Sequence, residues 1–122
     1  RFHRLTDTLA RLTVFRVDAP APAVSWARAH FLSTPETPLA ASSLASVERD
    51  GVELAPDLTA PTLVLHGDRD KQVTDKDVRR LMDALPDAEL TTVEGAGHML
   101  LLTHPGVVAQ HIERWVRAVG RS

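Results

Sequence analysis

Residues 60–70 decide the fold, and they read APTLVLHGDRD. The apolar run from Thr62 to His66 has a proline before it and Gly67 after it, which is typical of a short strand buried on both faces of a parallel sheet. Two acidic side chains, Asp68 and Asp70, follow directly. The stretch therefore predicts a buried strand with polar, potentially reactive residues at its carboxyl end.

The chain after this strand alternates between helix and strand patterns. A capping-box pattern at 74–77 precedes apolar residues at helical spacing, which predicts a helix that ends at Pro86-Asp87. A second strand is predicted from Glu89 to Val93, a turn from Glu94 to His98, and an amphipathic helix from Pro105 to Val119. Strand, helix, strand and helix in this order predict an α/β fold with parallel strands.

Residues 1–57 have a different character, with helical spacing and two Pro-rich joints. The apolar spacing predicts one helix over 5–12, a short one over 24–31 and a third over 39–49. Residues 52–60 show no clear period and are interpreted as a linker. We therefore divide the chain into a helical segment, 1–57, and an α/β segment, 58–122.

Composition excludes several classes of protein. The 122 residues carry a net charge of −2, are 43% hydrophobic and include no Cys, so wholesale disorder, a disulfide framework and a thiolate nucleophile are disfavoured. Low aromatic content and near-neutral charge argue against nucleic-acid binding. No apolar run approaches the ~20 residues of a membrane span. A cytoplasmic protein without a cofactor is expected.

The candidate reactive residues lie where the two predicted strands end, since side chains from neighbouring loops converge there. Asp70 follows the first strand and His98 the second. A carboxylate that accepts a hydrogen bond from one imidazole nitrogen frees the other to take a proton from a hydroxyl nucleophile. Asp70 could instead only accept hydrogen bonds from the backbone of its own turn, and His98 could have a purely structural role. Asp68 competes with Asp70 for the acid role, but we interpret it as a solvated turn position.

The tract at 60–70, followed by Gly95-Ala96-Gly97-His98, resembles the carboxyl-terminal half of an α/β-hydrolase. In that family the triad acid ends a Gly-x-x-Asp turn, which maps onto Asp70, and the triad base follows the next strand, which maps onto His98. The resemblance implies the last two strands of the family's parallel sheet with their helices. By position, residues 1–57 resemble the helical cap that many members insert before the acid-bearing strand.

The sequence departs from the family in lacking a nucleophile elbow, Gly-x-Ser-x-Gly, and the loop that supplies oxyanion-hole donors. The chain also opens at Arg1 without Met, so we expect a fragment. The resemblance implies a serine-type hydrolase of small ester, thioester or amide substrates, inactive as this chain alone; a C–C bond, epoxide or haloalkane substrate is also compatible. The alternative is a non-catalytic module that completes another chain's sheet through an exposed edge.

Three other interpretations of the acidic loop are weaker. A metal site would draw on His66, Asp68, Asp70 and His98, but the histidines have no recognisable ligand spacing. An Asp-x-Asp phosphatase motif wants Thr or Val where Gln72 stands. A calcium loop needs Gly at its sixth position, which is Val73. We therefore expect no metal in this site.

Overall fold

A computed structural model describes residues 19–33, 35 and 51–121. The helices predicted over 5–12 and 39–49 lie outside these residues. In chain order the described elements are helix α1 (Ala21–Ser33), a 3-10 helix (Gly51–Asp57), strand β1 (Thr62–Gly67), helix α2 (Asp75–Ala84), strand β2 (Ala88–Val93), helix α3 (Leu100–Thr103) and helix α4 (Pro105–Val119).

The sheet confirms the predicted strand–helix–strand order. Over the described ranges it has two strands, β1 and β2, which run parallel with Thr62 opposite Ala88 and Gly67 opposite Val93. Parallel pairing requires a crossover, and α2 provides it. Both strands therefore end at the same edge of the sheet. The loop that follows β1 and carries Asp70 (68–74, the acid loop) thus lies beside the loop that follows β2 and carries His98 (94–99, the histidine loop).

Helix α2 begins at the predicted capping box. The Thr74 hydroxyl accepts a hydrogen bond from the Asp77 backbone N–H at 3.3 Å, and the Asp77 carboxylate accepts one from the Thr74 N–H at 2.9 Å. Two backbone donors of the first turn are thereby satisfied, which fixes where the helix starts after the acidic loop. Val78 is buried behind this turn.

The main core cluster joins the end of the sheet to the last two helices. Buried Val93, Ala96, Leu100 and Val108 pack together, with Leu65 against them. Burial of β1 is complete only at its end, so the predicted two-sided burial is correct for His66 and Gly67 but not for the half-buried residues before them. A sheet of two strands covers little of the surface of the helices beside it. The apolar face of α4 is therefore only partly covered, and Val116 is 54% exposed.

Three local features differ from the sequence-based expectations. The 3-10 helix Gly51–Asp57 overlaps most of the linker predicted at 52–60; its Ala55 is buried, and the helix packs against α2. Helix α3 was not expected because four residues are too few to show a period. Helix α1 is present as predicted but starts earlier, at Ala21, because Pro22 is tolerated in a first turn.

Candidate active site

The loop after β1 is a tight turn pressed against the loop after β2. The Asp70 N–H donates to the Gly67 carbonyl at 3.0 Å, and the Arg69 N–H donates across to the Ala96 carbonyl at 2.9 Å. A Cβ on Gly67 would lie 2.7 Å from the Ala96 carbonyl carbon and 2.8 Å from the Gly97 oxygen. Only glycine therefore allows the two backbones to approach this closely.

The histidine loop also depends on a glycine. Gly95 has a φ of 75°, in the left-handed region that L side chains rarely adopt. This conformation turns the chain back, so that Ala96 is fully buried beneath the acid loop and His98 emerges at the same edge as Asp70.

The structure brings Asp70 and His98 into contact. Nδ1 of His98 lies 2.9 Å from Oδ2 of Asp70, although 28 residues separate them in sequence. The Asp70 side chain is 4% exposed and that of His98 36% exposed. The other oxygen, Oδ1, accepts from the backbone N–H groups of Gln72 at 2.8 Å and Val73 at 3.0 Å. Asp70 thus has both expected contacts, one within its own turn and one with the imidazole.

The surroundings of Asp70 determine whether its carboxyl group is ionised. Burial raises the pKa of Asp70, but the hydrogen bonds from Val73, His98 and Gln72 together outweigh burial and hold this pKa below its usual range. The carboxylate is therefore ionised at neutral pH and can only accept. In the neutral form of the His98 ring, the proton therefore lies on Nδ1, which donates to Asp70, and Nε2 has a lone pair that can accept a proton from a hydroxyl.

Two polar residues beside the pair have roles that the sequence did not indicate. Asp68, interpreted above as a solvated turn position, is an exposed residue, but its side chain is 32% exposed and its Oδ1 accepts from the Gly95 N–H at 2.7 Å. His66 is buried and its Nε2 donates to the Val73 carbonyl at 2.9 Å, which anchors the acid loop to β1. No local sequence pattern predicts either contact, because each contact joins residues in different structural elements or loops.

The sequence also raised the questions of a metal site and of a membrane span. In residues 19–33, 35 and 51–121, no three His, Asp or Glu side chains converge in a way that could hold a metal ion. Within the same part of the chain, every helix is too short or too polar to cross a membrane.

A parallel strand–helix–strand unit with an Asp–His pair at its carboxyl edge is the arrangement found in α/β-hydrolase cores. Residues 1–111 match the model of the alpha/beta hydrolase family. The chain therefore belongs to the alpha/beta hydrolase family.

Solved structures agree with this assignment. A thermophilic esterase from Thermogutta terrifontis, solved with malate bound, is 27% identical with a TM-score of 0.78 over 94% of this chain and 44% of its own. An alpha/beta hydrolase enzyme from the metagenome of lagoon sediments at Mar Chica, Morocco, is 20% identical, with a TM-score of 0.59 over 64% and 36%. E-2-(acetamidomethylene)succinate hydrolase is 24% identical, with a TM-score of 0.54 over 57% and 26%.

The last two likenesses concern the fold alone. The chain spans less than half the length of each of these three proteins. Curated proteins gave no significant match.

Proposed function

We propose that this chain supplies the acid and base of a serine-type hydrolase, with Asp70 as the acid and His98 as the base. The observation that carries the proposal is the 2.9 Å contact between His98 Nδ1 and Asp70 Oδ2 at the carboxyl edge of a parallel sheet. The Thermogutta esterase, which aligns over 94% of this chain, supports an ester or a related acyl substrate.

The pair would act through the free imidazole nitrogen. Nε2 of His98 takes the proton of a serine hydroxyl while the serine oxygen bonds to the acyl carbon. The same proton then passes to the leaving group as its bond to the acyl carbon breaks. Water repeats the sequence on the acyl-enzyme, with Nε2 again as base. Throughout, Asp70 holds the ring in place and stabilises the imidazolium that forms.

The nucleophile comes from outside these 122 residues, because none of the serines lies in a Gly-x-Ser-x-Gly turn. The six serines are Ser25, Ser33, Ser42, Ser43, Ser46 and Ser122. We propose that the chain alone is inactive, because without a nucleophile no acyl-enzyme forms, and without an oxyanion hole the tetrahedral intermediate is not stabilised.

Residues 1–57 are proposed as a helical cap over the core in 58–122. Val24 of helix α1 is buried in a cluster with Ala19, against which Met99 and Leu102 pack shortly after His98 in the chain. This contact between helix α1 and the residues that follow the proposed base supports the cap proposal. The cytoplasm is the proposed location, which suits a chain without cysteine.

Activity measurements test the catalytic proposal. The chain alone should hydrolyse an activated ester at the buffer rate and take up no fluorophosphonate label. Joined to a segment that supplies the Gly-x-Ser-x-Gly turn, it should turn over, and His98→Ala should lower kcat about 10⁶-fold and Asp70→Asn about 10⁴-fold. His111→Ala, on α4, is the matched control and should leave kcat unchanged. Fluorophosphonate labelling of the chain alone would contradict the missing nucleophile, and an active His98→Ala would contradict the assigned base.

The second candidate, a non-catalytic module that completes another chain's sheet, is favoured by one observation. In the described part of the chain, Val116 and Ile112 of α4 are exposed, and each strand has one unpaired edge. Such surfaces favour association. Sedimentation velocity and thermal melting test this candidate. A chain that is monomeric by sedimentation and unfolds cooperatively on heating would count against it.

A further inference from the structure

The Asp68 carboxylate bridges the two loops of the site. It extends from the loop after β1 and accepts a hydrogen bond from the Gly95 N–H, 27 residues away, at 2.7 Å. We propose that Asp68 is a positioning residue that fixes the His98 loop against Asp70. This inference rests on the proposed function, since it concerns the geometry of the same acid–base pair.

The histidine loop needs such a restraint because its own residues restrict its conformation very little. Gly95-Ala96-Gly97 carries no side chain larger than a methyl group, and glycine has the greatest conformational freedom of any residue. Gly95 is also in the left-handed region, at φ 75°. The Asp68 contact lies three residues before His98, so it limits where the ring can be presented.

Besides the Asp70–His98 contact itself, backbone hydrogen bonds also join the two loops. The backbone adds Arg69 N–H to the Ala96 carbonyl at 2.9 Å and Asp68 N–H to the Val93 carbonyl at 3.3 Å. The Asp68 bond is shorter, at 2.7 Å, and its acceptor is a carboxylate, which makes it roughly twice as strong as a neutral pair. Asp68 is also the only one of the three acceptors that mutation can change without altering the backbone.

The different roles of Asp68 and Asp70 follow from their contacts. Asp70 binds the imidazole through Oδ2, whereas Asp68 binds the backbone of the loop that carries the imidazole. Removal of Asp68 should therefore leave the acid intact while loosening its alignment with His98. Because an asparagine side chain keeps a carbonyl oxygen at the same place, Asp68→Asn should preserve most of the effect.

NMR spectroscopy of the intact chain tests this. In the wild type, ¹⁵N spectra should show His98 with its proton on Nδ1, and the Gly95 amide proton should resonate downfield. Asp68→Ala should reduce the hydrogen-exchange protection of the Arg69 amide by about tenfold or more, the effect expected for a hydrogen bond to a charged group. It should also lower the Nδ1–H population of His98. Asp68→Asn should remain within about threefold of wild type.

Controls separate positioning from general destabilisation. Asp83→Ala removes an exposed carboxylate from α2 and should change none of these signals. Amide protection in α4 reports whether each variant is folded; if Asp68→Ala does not fold, the comparison of Asp68→Asn with wild type carries the test. Unchanged Arg69 protection and His98 tautomer in Asp68→Ala would overturn the inference, as would an Asp68→Asn variant that also loses both. A wild-type His98 without the Nδ1 proton would instead overturn the proposed acid–base pair itself.

Discussion

Replacing Gly67 by alanine should separate the two loops of the site. The new Cβ would lie 2.8 Å from the Gly97 oxygen and 2.7 Å from the Ala96 carbonyl carbon, both of them backbone atoms that cannot rotate away. The carbonyl oxygen of Ala96 is nearer still. Ordinary contact begins at 3.4 Å, so the histidine loop must retreat by more than the 0.7 Å between 2.7 and 3.4 Å. Added to the 2.9 Å contact of His98 with Asp70, a shift of this size exceeds the length of a hydrogen bond.

The cost of Gly67→Ala can be set from the contacts it disturbs. Overpacking against backbone costs about 1–3 kcal/mol. Loss of the bond from the Arg69 N–H to the Ala96 carbonyl adds about 1 kcal/mol. We therefore expect the free energy of unfolding to fall by about 2–4 kcal/mol. Gly106→Ala is the matched control, because a Cβ in this α4 position meets nothing within 4 Å and should stabilise by up to about 1 kcal/mol.

Urea unfolding followed by circular dichroism measures both variants, and ¹⁵N spectra of His98 report the tautomer. Gly67→Ala should be destabilised and should lose Nδ1–H population on His98, whereas Gly106→Ala should keep the wild-type spectrum. A Gly67→Ala variant as stable as Gly106→Ala, with His98 unchanged, would refute the claim that direct backbone contact aligns the pair.

Three further perturbations have defined outcomes. Thr74→Ala should lower the free energy of unfolding by about 1 kcal/mol by removing the cap of α2, and Thr74→Ser should restore it in urea melts. Because the folded-state pKa of Asp70 lies below its ordinary value, this carboxylate stabilises the fold above about pH 4, and its contribution is lost as the pH falls through the folded-state pKa. Urea melts from pH 6 to 3 should therefore show a shallower acid loss for Asp70→Asn, and an equally steep loss would contradict this. Val93→Ala removes two buried carbons and should cost about 2 kcal/mol, whereas exposed Val107→Ala should stay within about 0.5 kcal/mol of wild type in the same melts.

The parts of the fold that were predictable are those with local causes. The run that forms β1 is apolar and bounded by Pro61 and Gly67, and the α2 cap is set by two side chains three residues apart. The strand patterns predicted two neighbouring loops with reactive residues, and the resemblance to the Gly-x-x-Asp turn selected Asp70 rather than Asp68 as the partner of His98. Parallel pairing then brings both residues to one edge of the sheet.

The features that escaped prediction depend on partners far away in sequence. The 3-10 helix has no periodic pattern of its own, and its Ala55 is buried where the helix packs against α2, about twenty residues further along the chain. Asp68 shows the same limit: its sequence neighbours suggest a solvated turn, and only the approach of Gly95 makes it a hydrogen-bond acceptor within the site. Periodicity likewise predicts the apolar face of α4 but not how much of that face is covered, which depends on the width of the sheet.

The register of the two strands has a consequence for how this protein tolerates changes in length. Gly67 is level with Val93, so both loops leave the sheet at the same height. A slip of one residue would move the base about 3.3 Å along the strand and turn its side chain to the opposite face. The separation of acid and base is therefore set by strand pairing rather than by the number of residues between them. Insertions between α2 and β2, at 85–87, should leave the pair aligned, whereas a single added residue at 94–97 should not.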